Sequence, residues 1–396
     1  MRRLLIASLS LAACADPIPP GGDAGLAARC ATLVGDGLLA ELPPARVLAI
    51  GSNYQSGSAW SIAPDSLRPS ALQLGVAGDS IARVTGHALA VLNRAQGTGD
   101  NLALFDLRGP SPRYVAQVPV VSPEDRARGE RAANAHDVVA VDDHRYYVSR
   151  YDMSSLAVFD LRACAVTRTV DLSMYQGRAP RPGMDAMVRV GREVWVTLQR
   201  LDDAARPTQR GLIARIDTRD DRVVGVVELP RANPVTPWRW LDPGRALVLG
   251  TVGAYGEVGD GAVERIDVVD GAPVVRDPLV REEDVGGNID DVAVIDAGAL
   301  ALKVPARREG GASIAATRVL RWDLATRTSR ELLRSGSWNP APIHVQGDRV
   351  YVGDSGDADT GAGAGVRVFD RAGERVDRGA ISVGAGLWPY DLRAMP

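Results

Sequence analysis

The chain carries a single lysine, Lys303, among 46 basic residues, the rest being arginine. Against them stand 49 acidic residues, for a net charge of −3. There is no basic surplus to neutralise a phosphate backbone, so nucleic acid is not an expected partner. Cysteine is scarce at three residues and histidine at four. None of them stands in a Cys-x-x-Cys-His haem attachment or a His-Glu-x-x-His zinc helix, and no Gly-x-Ser-x-Gly elbow occurs, so these signatures of cofactor attachment and hydrolysis are missing. Outside the N-terminus no apolar run reaches the roughly 18 residues that a membrane-spanning helix needs. Long helical periodicities are rare as well. What the chain has in quantity is 42 glycines and 25 prolines in 396 residues, 45% of them hydrophobic and 24% charged. That is an ordinary folded composition whose turn formers suit many short strands.

The N-terminus is a short basic region, Met1-Arg2-Arg3, followed by ten mostly apolar residues to Ala13, too few for a stable anchor and typical of a signal peptide. Leu11-Ala12-Ala13-Cys14 then resembles the lipobox of bacterial lipoproteins. The resemblance implies cleavage before Cys14 and acylation of that residue, palmitate included, with an ordinary secretory cleavage site beside a cysteine as the alternative. The expected organisation is a signal peptide over 1–13, a lipidated tether over 14–44 that is rich in proline and glycine, and a folded domain over 45–396. The expected place is the bacterial cell envelope, on the outer membrane, facing the periplasm or the surface, with the lipid as membrane partner. Setting Cys14 aside leaves Cys30 and Cys164, an even number in an oxidising compartment and a candidate disulfide, with two unrelated buried thiols as the alternative.

The rest of the chain repeats itself. An alternating strand closing on aspartate recurs seven times, at Asp65, Asp106, Asp160, Asp217, Asp267, Asp323 and Asp370, as in LALFDLR, LAVFDLR and VRVFDRA. An apolar strand precedes each, from RVLAIGSN (46–53) and HALAVLNR (87–94) to RVYVGDS (349–355). Before that comes another strand: DSIARV from Asp79, DVVAV from Asp137, DAMVRV from Asp185, TPWRW from Thr236, DVAVI from Asp291 and PIHV from Pro342. The seventh copy of this first strand is the C-terminal WPYDLRAMP, with Asp391 in register, whereas the N-terminal unit has no first strand of its own. The two ends therefore complete one unit. Four-stranded antiparallel units at a period of about 50 residues predict an all-β fold, a seven-bladed β-propeller whose C-terminal strand pairs into the N-terminal blade.

The pattern resembles the YVTN family of lactonase-like and surface-layer propellers. Tyr147-Val148-Ser149-Arg150, Trp195-Val196-Thr197 and Tyr351-Val352-Gly353 stand where that family has Tyr-Val-Thr-Asn, and Phe159-Asp160, Ile216-Asp217 and Phe369-Asp370 close the unit, although no blade has the full tetrapeptide. The resemblance implies the architecture and leaves the activity open.

Candidate site residues follow from the topology. If strands are counted from the axis outward, the connections from second to third strand and from fourth to next first strand share one face. Long stretches there, 202–210, 254–261, 307–313 and 355–365, with loops 122–136 and 271–287, mark it as the ligand face. Asp79, Asp137, Asp185, Asp291 and Asp391, with His136 and His344, stand at the starts of the innermost strands. Carboxylates converging there would suit a hard cation such as Ca2+, or a metal-assisted lactonase-like hydrolase. Aspartate before a strand also accepts turn N–H groups, the reading adopted here. Asp354, Asp357 and Asp359 superficially suggest a calcium loop but lack the glutamate of an EF-hand. Trp338, Trp388 and Tyr390, with Trp238, would make an aromatic platform for a sugar or fill wedges between blades. His136 and Asp137 are adjacent in a strand and so point to opposite faces, which argues against an acid/base pair. The function expected is a non-catalytic, monomeric, cofactor-free scaffold that binds an envelope protein or glycan. The alternatives are the hydrolase or an accessory partner of an exported redox enzyme.

Overall fold

The computed structural model describes residues 38–40, 43, 45–74, 76–94, 100–307, 314–336, 341–356 and 363–396. Seven antiparallel sheets surround one axis. Blade 1 runs outward from Trp388–Met395 through Arg46–Ser52 and Gly57–Ile62 to Pro69–Leu72. The inner strands of blades 2 to 7 are Ser80–Thr85, Ala135–Ala140, Met184–Val190, Arg239–Asp242, Asp291–Asp296 and Ile343–Gln346. Each is followed in the chain by the next strand out. Blade 7 has three strands, its outer edge being finished by single bridges from Val366 to Ile381 and Phe369 to Arg375. Part of the loop expected at 271–287 is strand: Ala272–Val275 is the outer strand of blade 5, and Val280–Arg281 then returns onto the third strand.

The second strands show why a closed ring forms. Their side chains alternate between the sheet's two faces, and both faces are covered by a neighbouring blade, so these strands are buried along nearly their whole length. Val47 and Ala49 pack toward blade 7 while Leu48 and Ile50 pack toward blade 2. Tyr146 and Tyr147 divide likewise between the interfaces with blades 2 and 4. Seven apolar clusters fill the seven interfaces, so no blade buries its core alone.

The recurrent aspartate of the third strand has a local task. Asp160 and Asp217 accept the N–H two residues on, from Arg162 at 2.7 Å and Arg219 at 2.9 Å, which starts the turn into the fourth strand. The same turns place Cys164, Asp221 and Arg327 in the left-handed region. A different device holds the loop between blades 2 and 3. Ser122 caps the short helix Pro123–Ala127, and the helix's Asp125 forms an ion pair with Arg150, both side chains fully buried. This loop, expected on the ligand face, is thus clamped into the structure.

Leu38–Ala40, within the segment read as tether, lie against the inner turns of blades 2 and 3: the His87 N–H donates to Leu38 C=O at 2.7 Å, and the Leu39 N–H donates to Asp143 of blade 3 at 3.0 Å. Cys164 is buried and not free. Cys14 and Cys30 lie outside the described residues.

Trp388–Met395 pairs with Arg46–Ser52 along its length and supplies the inner strand of blade 1. Deleting residues 386–396 should therefore expose two strand edges and cost several kcal/mol, read as a large fall in denaturant midpoint or as aggregation on refolding. A truncated chain that unfolds at the wild-type midpoint would mean the ring does not depend on this strand.

Candidate functional site

The aspartates at the starts of the inner strands do more than cap turns. Asp137 accepts the Val138 N–H of its own strand at 2.8 Å and the Met187 N–H of blade 4 at 2.7 Å, while Arg83 of blade 2 pairs with it at 2.6 Å. One carboxylate thus ties three blades together. Asp391 accepts the Ala82 N–H of blade 2 at 2.8 Å and pairs with Arg393 at 2.8 Å. Asp291 accepts the N–H of Val292 at 2.8 Å and that of Ile343, in blade 7, at 3.3 Å. Where the aspartate is replaced, the contact changes: Thr236 accepts the Gly250 N–H at 2.7 Å, and a side-chain Cβ at Gly250 would fall 2.4 Å from Thr236.

Asp79 and Asp185 behave differently. Asp79 accepts from Arg94 and from the Tyr390 hydroxyl, each at 2.6 Å, and the Tyr390 ring meets the edge of Tyr54 at 5.6 Å. Trp388 joins them at 6.2 Å from Tyr54, so an aromatic group does stand beside the closure. Asp185 pairs with His136 Nδ1 at 2.8 Å and accepts from Gln199, whose Oε1 receives the Tyr151 hydroxyl at 2.9 Å. His136 stacks on Tyr151 with centroids 4.4 Å apart. Beside this cluster a cavity of about 260 Å³ opens on the loop-rich face, walled by Tyr151, Asp152, Arg181, Asp202 and Asp203. Burial raises the Tyr151 hydroxyl well above its usual pKa, and Asp185 adds to this, so the ring stays a neutral donor.

The structure does not gather the five aspartates and two histidines into one site, and among the described residues no trio of His, Cys, Asp or Glu side chains is placed to share a metal ion. Trp238 fills the wedge against Trp195 at 6.2 Å, edge to face. Asp354 accepts from Ser335 at 2.9 Å and pairs with Arg367 at 2.8 Å. Asp357, Asp359 and Trp338 lie outside the described residues.

Two groups escaped the sequence reading. Glu282, fully buried under loop 254–261, accepts from Asn288 at 3.1 Å, Ile289 at 3.2 Å and Gly261 at 3.2 Å. Burial raises its pKa to about 7 against the pull of these donors. The other is a layer in the channel. Pairing with the second strands aligns Arg393 with Leu48, Arg83 with Ala90, Arg239 with Val248 and His344 with Tyr351, all one level below the aspartate positions. Val139, Val188 and Ala293 hold that level in the other blades. The three arginines stand in the quoted segments ARV, LRA and WRW, so aligning the inner strands would have found them.

Solved structures share this architecture. The chain superposes on a candidate 6-phosphogluconolactonase from Bacteroides uniformis with a TM-score of 0.59 at 11% identity, over 88% of this chain and 99% of that one. A hypothetical selenium-binding protein from Sulfolobus tokodaii gives 0.56 at 10% identity, over 90% and 94%. No protein-family model matches, and no curated protein does. At such identities the likeness shows the fold alone.

Two outcomes test the reading of these residues. Asp137→Asn should cost about 2–3 kcal/mol in denaturant unfolding, because an amide cannot accept both N–H groups and leaves Arg83 short of a charge. The same loss is expected with and without EDTA, because the bonds removed are those to the Val138 and Met187 N–H groups and to Arg83. His344 is held neutral, its pKa pushed down to about 3 by burial and then by Arg239. Its depressed pKa means that the unfolded chain takes up the proton first as pH falls, so this contribution to stability is complete above about pH 6.5 and is lost toward pH 3. His344→Gln should flatten the fall in melting temperature between pH 6.5 and 4, and an unchanged slope would contradict the assignment.

Proposed function

We propose that the chain is a YVTN-type, lactonase-like propeller held on the cell envelope by lipid at Cys14, and that it works as a non-catalytic scaffold. Its loop-rich face binds an envelope protein or glycan. The observation that carries this reading is the division of labour in the carboxylates. Asp137, Asp291 and Asp391 spend oxygens on backbone N–H groups of neighbouring strands, whereas the cavity at Tyr151, Arg181, Asp202 and Asp203 offers an aromatic ring and charged groups at the surface. A partly buried aromatic with polar neighbours is the composition of a recognition surface.

Within the same reading, Cys30 pairs with Cys164. The buried, engaged state of Cys164 supports it, and Cys14 is the lipid carrier. Such a bond would tie the tether to the turn between the third and fourth strands of blade 3, on the same face as the docked Leu38–Ala40. The loop-rich face then points away from the membrane.

A photocrosslinking residue at Asp203, which is exposed on the loop-rich face, should capture a discrete envelope partner in intact cells, while one at exposed Asp348 on the opposite face should not. Capture from neither position, or equally from both, would contradict the scaffold. Cys14→Ser should abolish acylation and membrane fractionation. One tightly held divalent ion per purified chain would instead favour the metal-assisted hydrolase.

A further inference from the structure

The channel layer beneath the aspartates has more cationic donors than acceptors. Arg83 directs its Nε to Asp137 at 2.6 Å and its Nη1 to Ala82 C=O at 2.8 Å. Arg393 is paired with Asp391 at 2.8 Å and donates to Ala82 C=O at 3.0 Å. Arg239 is the exception. Its Nε reaches only Val292 C=O, at 3.3 Å, its Nη2 is buried with no partner, and no carboxylate stands within ion-pairing distance among the described residues. Asp291, the carboxylate whose attraction it feels most, has its oxygens directed to two backbone N–H groups.

Arg239 is half-buried, and a guanidinium nitrogen shut off from solvent without an acceptor is costly, since its solvation is lost and only the long contact of Nε with Val292 C=O offsets it. The neighbours make the deficit worse. Burial and then Arg83 push Arg393 down to about 9, and His344 is depressed by burial and by Arg239 and Arg393 together. These groups therefore feel one another across the axis, and while Arg83 and Arg393 each keep an aspartate, Arg239 has none within ion-pairing distance among the described residues. A way in exists: a cavity of about 730 Å³, within the size range of small-molecule sites, is walled by Arg83, Asp137, Val139, Val188, Arg189 and Trp240. Arg83, a member of the layer, forms part of that wall, so the cavity reaches the layer at a cationic residue.

We propose that this layer binds an oxyanion, the carboxylate or phosphate group of a small molecule, gripped by the Arg239 fork with Arg393 and neutral His344 beside it and reached through the cavity at Arg83 and Trp240. Guanidinium presents parallel N–H groups that match either group in bidentate fashion. The site is independent of the loop-rich face, so it stands whether or not that face binds an envelope partner.

The test uses the detergent-solubilised full chain at constant ionic strength, with inorganic phosphate and acetate compared against chloride by melting temperature and calorimetry. A saturable rise with one site per chain for phosphate or acetate, beyond any chloride effect, is expected. Stronger binding of phosphate would identify a phosphate group as the natural ligand chemistry, and stronger binding of acetate a carboxylate. Arg239→Met should weaken binding at least tenfold and raise the melting temperature without anion, because an unpartnered charge has gone. Arg239→Lys, which keeps the charge but loses the fork, should weaken it less and serves if the methionine variant fails to fold. Arg219→Gln, on an exposed turn, should change nothing. Equal effects of chloride, unaltered binding in both Arg239 variants, or no saturable shift would overturn the proposal and leave a channel that holds water only.

Discussion

At three of the seven junctions around the axis a carboxylate accepts an N–H from the next blade. Inner strands cannot complete their own hydrogen bonding on the channel side, because the blade ends there and the neighbouring inner strand lies at an angle. Asp137, Asp291 and Asp391 each bridge that gap to one amide of the following blade. A charged acceptor makes such bonds stronger than neutral ones, and burial shields them from water and salt. The link from Asp391 to Ala82 joins the C-terminal strand to blade 2, and the ladder between Trp388–Met395 and Arg46–Ser52 joins it to the N-terminal strand.

Outside the axis the same closure is expressed in apolar contacts. Each second strand gives alternate residues to alternate neighbours, so a defect in one blade is felt at two interfaces. Polar work is left to the channel. The loop-rich end carries tyrosine and carboxylate pairs such as Tyr390 with Asp79 and Tyr151 with Gln199 and Asp185. The middle carries arginines that the structural aspartates only partly neutralise.

The sevenfold repeat, the closure by the C-terminal strand and the recurrent aspartates were legible because propeller strands alternate with period two and their turns demand fixed residues. The closing aspartates of the third strands read as structural, since the Arg219 N–H donates locally to Asp217, but Asp65 lies in the turn beyond its strand, which ends at Ile62. The partner of Asp137 was not legible. Its second amide, Met187, lies 50 residues away, a distance set by ring geometry and by no local preference. His136 was considered beside Asp137 but pairs with Asp185, one blade on, for the same reason. The clamp from Arg150 to Asp125 escaped because it joins a loop to a strand end 25 residues apart. Arg83, Arg239 and Arg393 were visible only as separate residues until the inner strands were aligned.

The central claim is that the inner-strand aspartates hold the ring together through amides of the next blade. Native-state hydrogen exchange at the Ala82 and Met187 amides tests it most directly. The account predicts that both exchange only through global unfolding, with protection as high as that of the second strands and indifferent to chelator. Exchange at the rate of loop amides, or protection that disappears with EDTA, would contradict it.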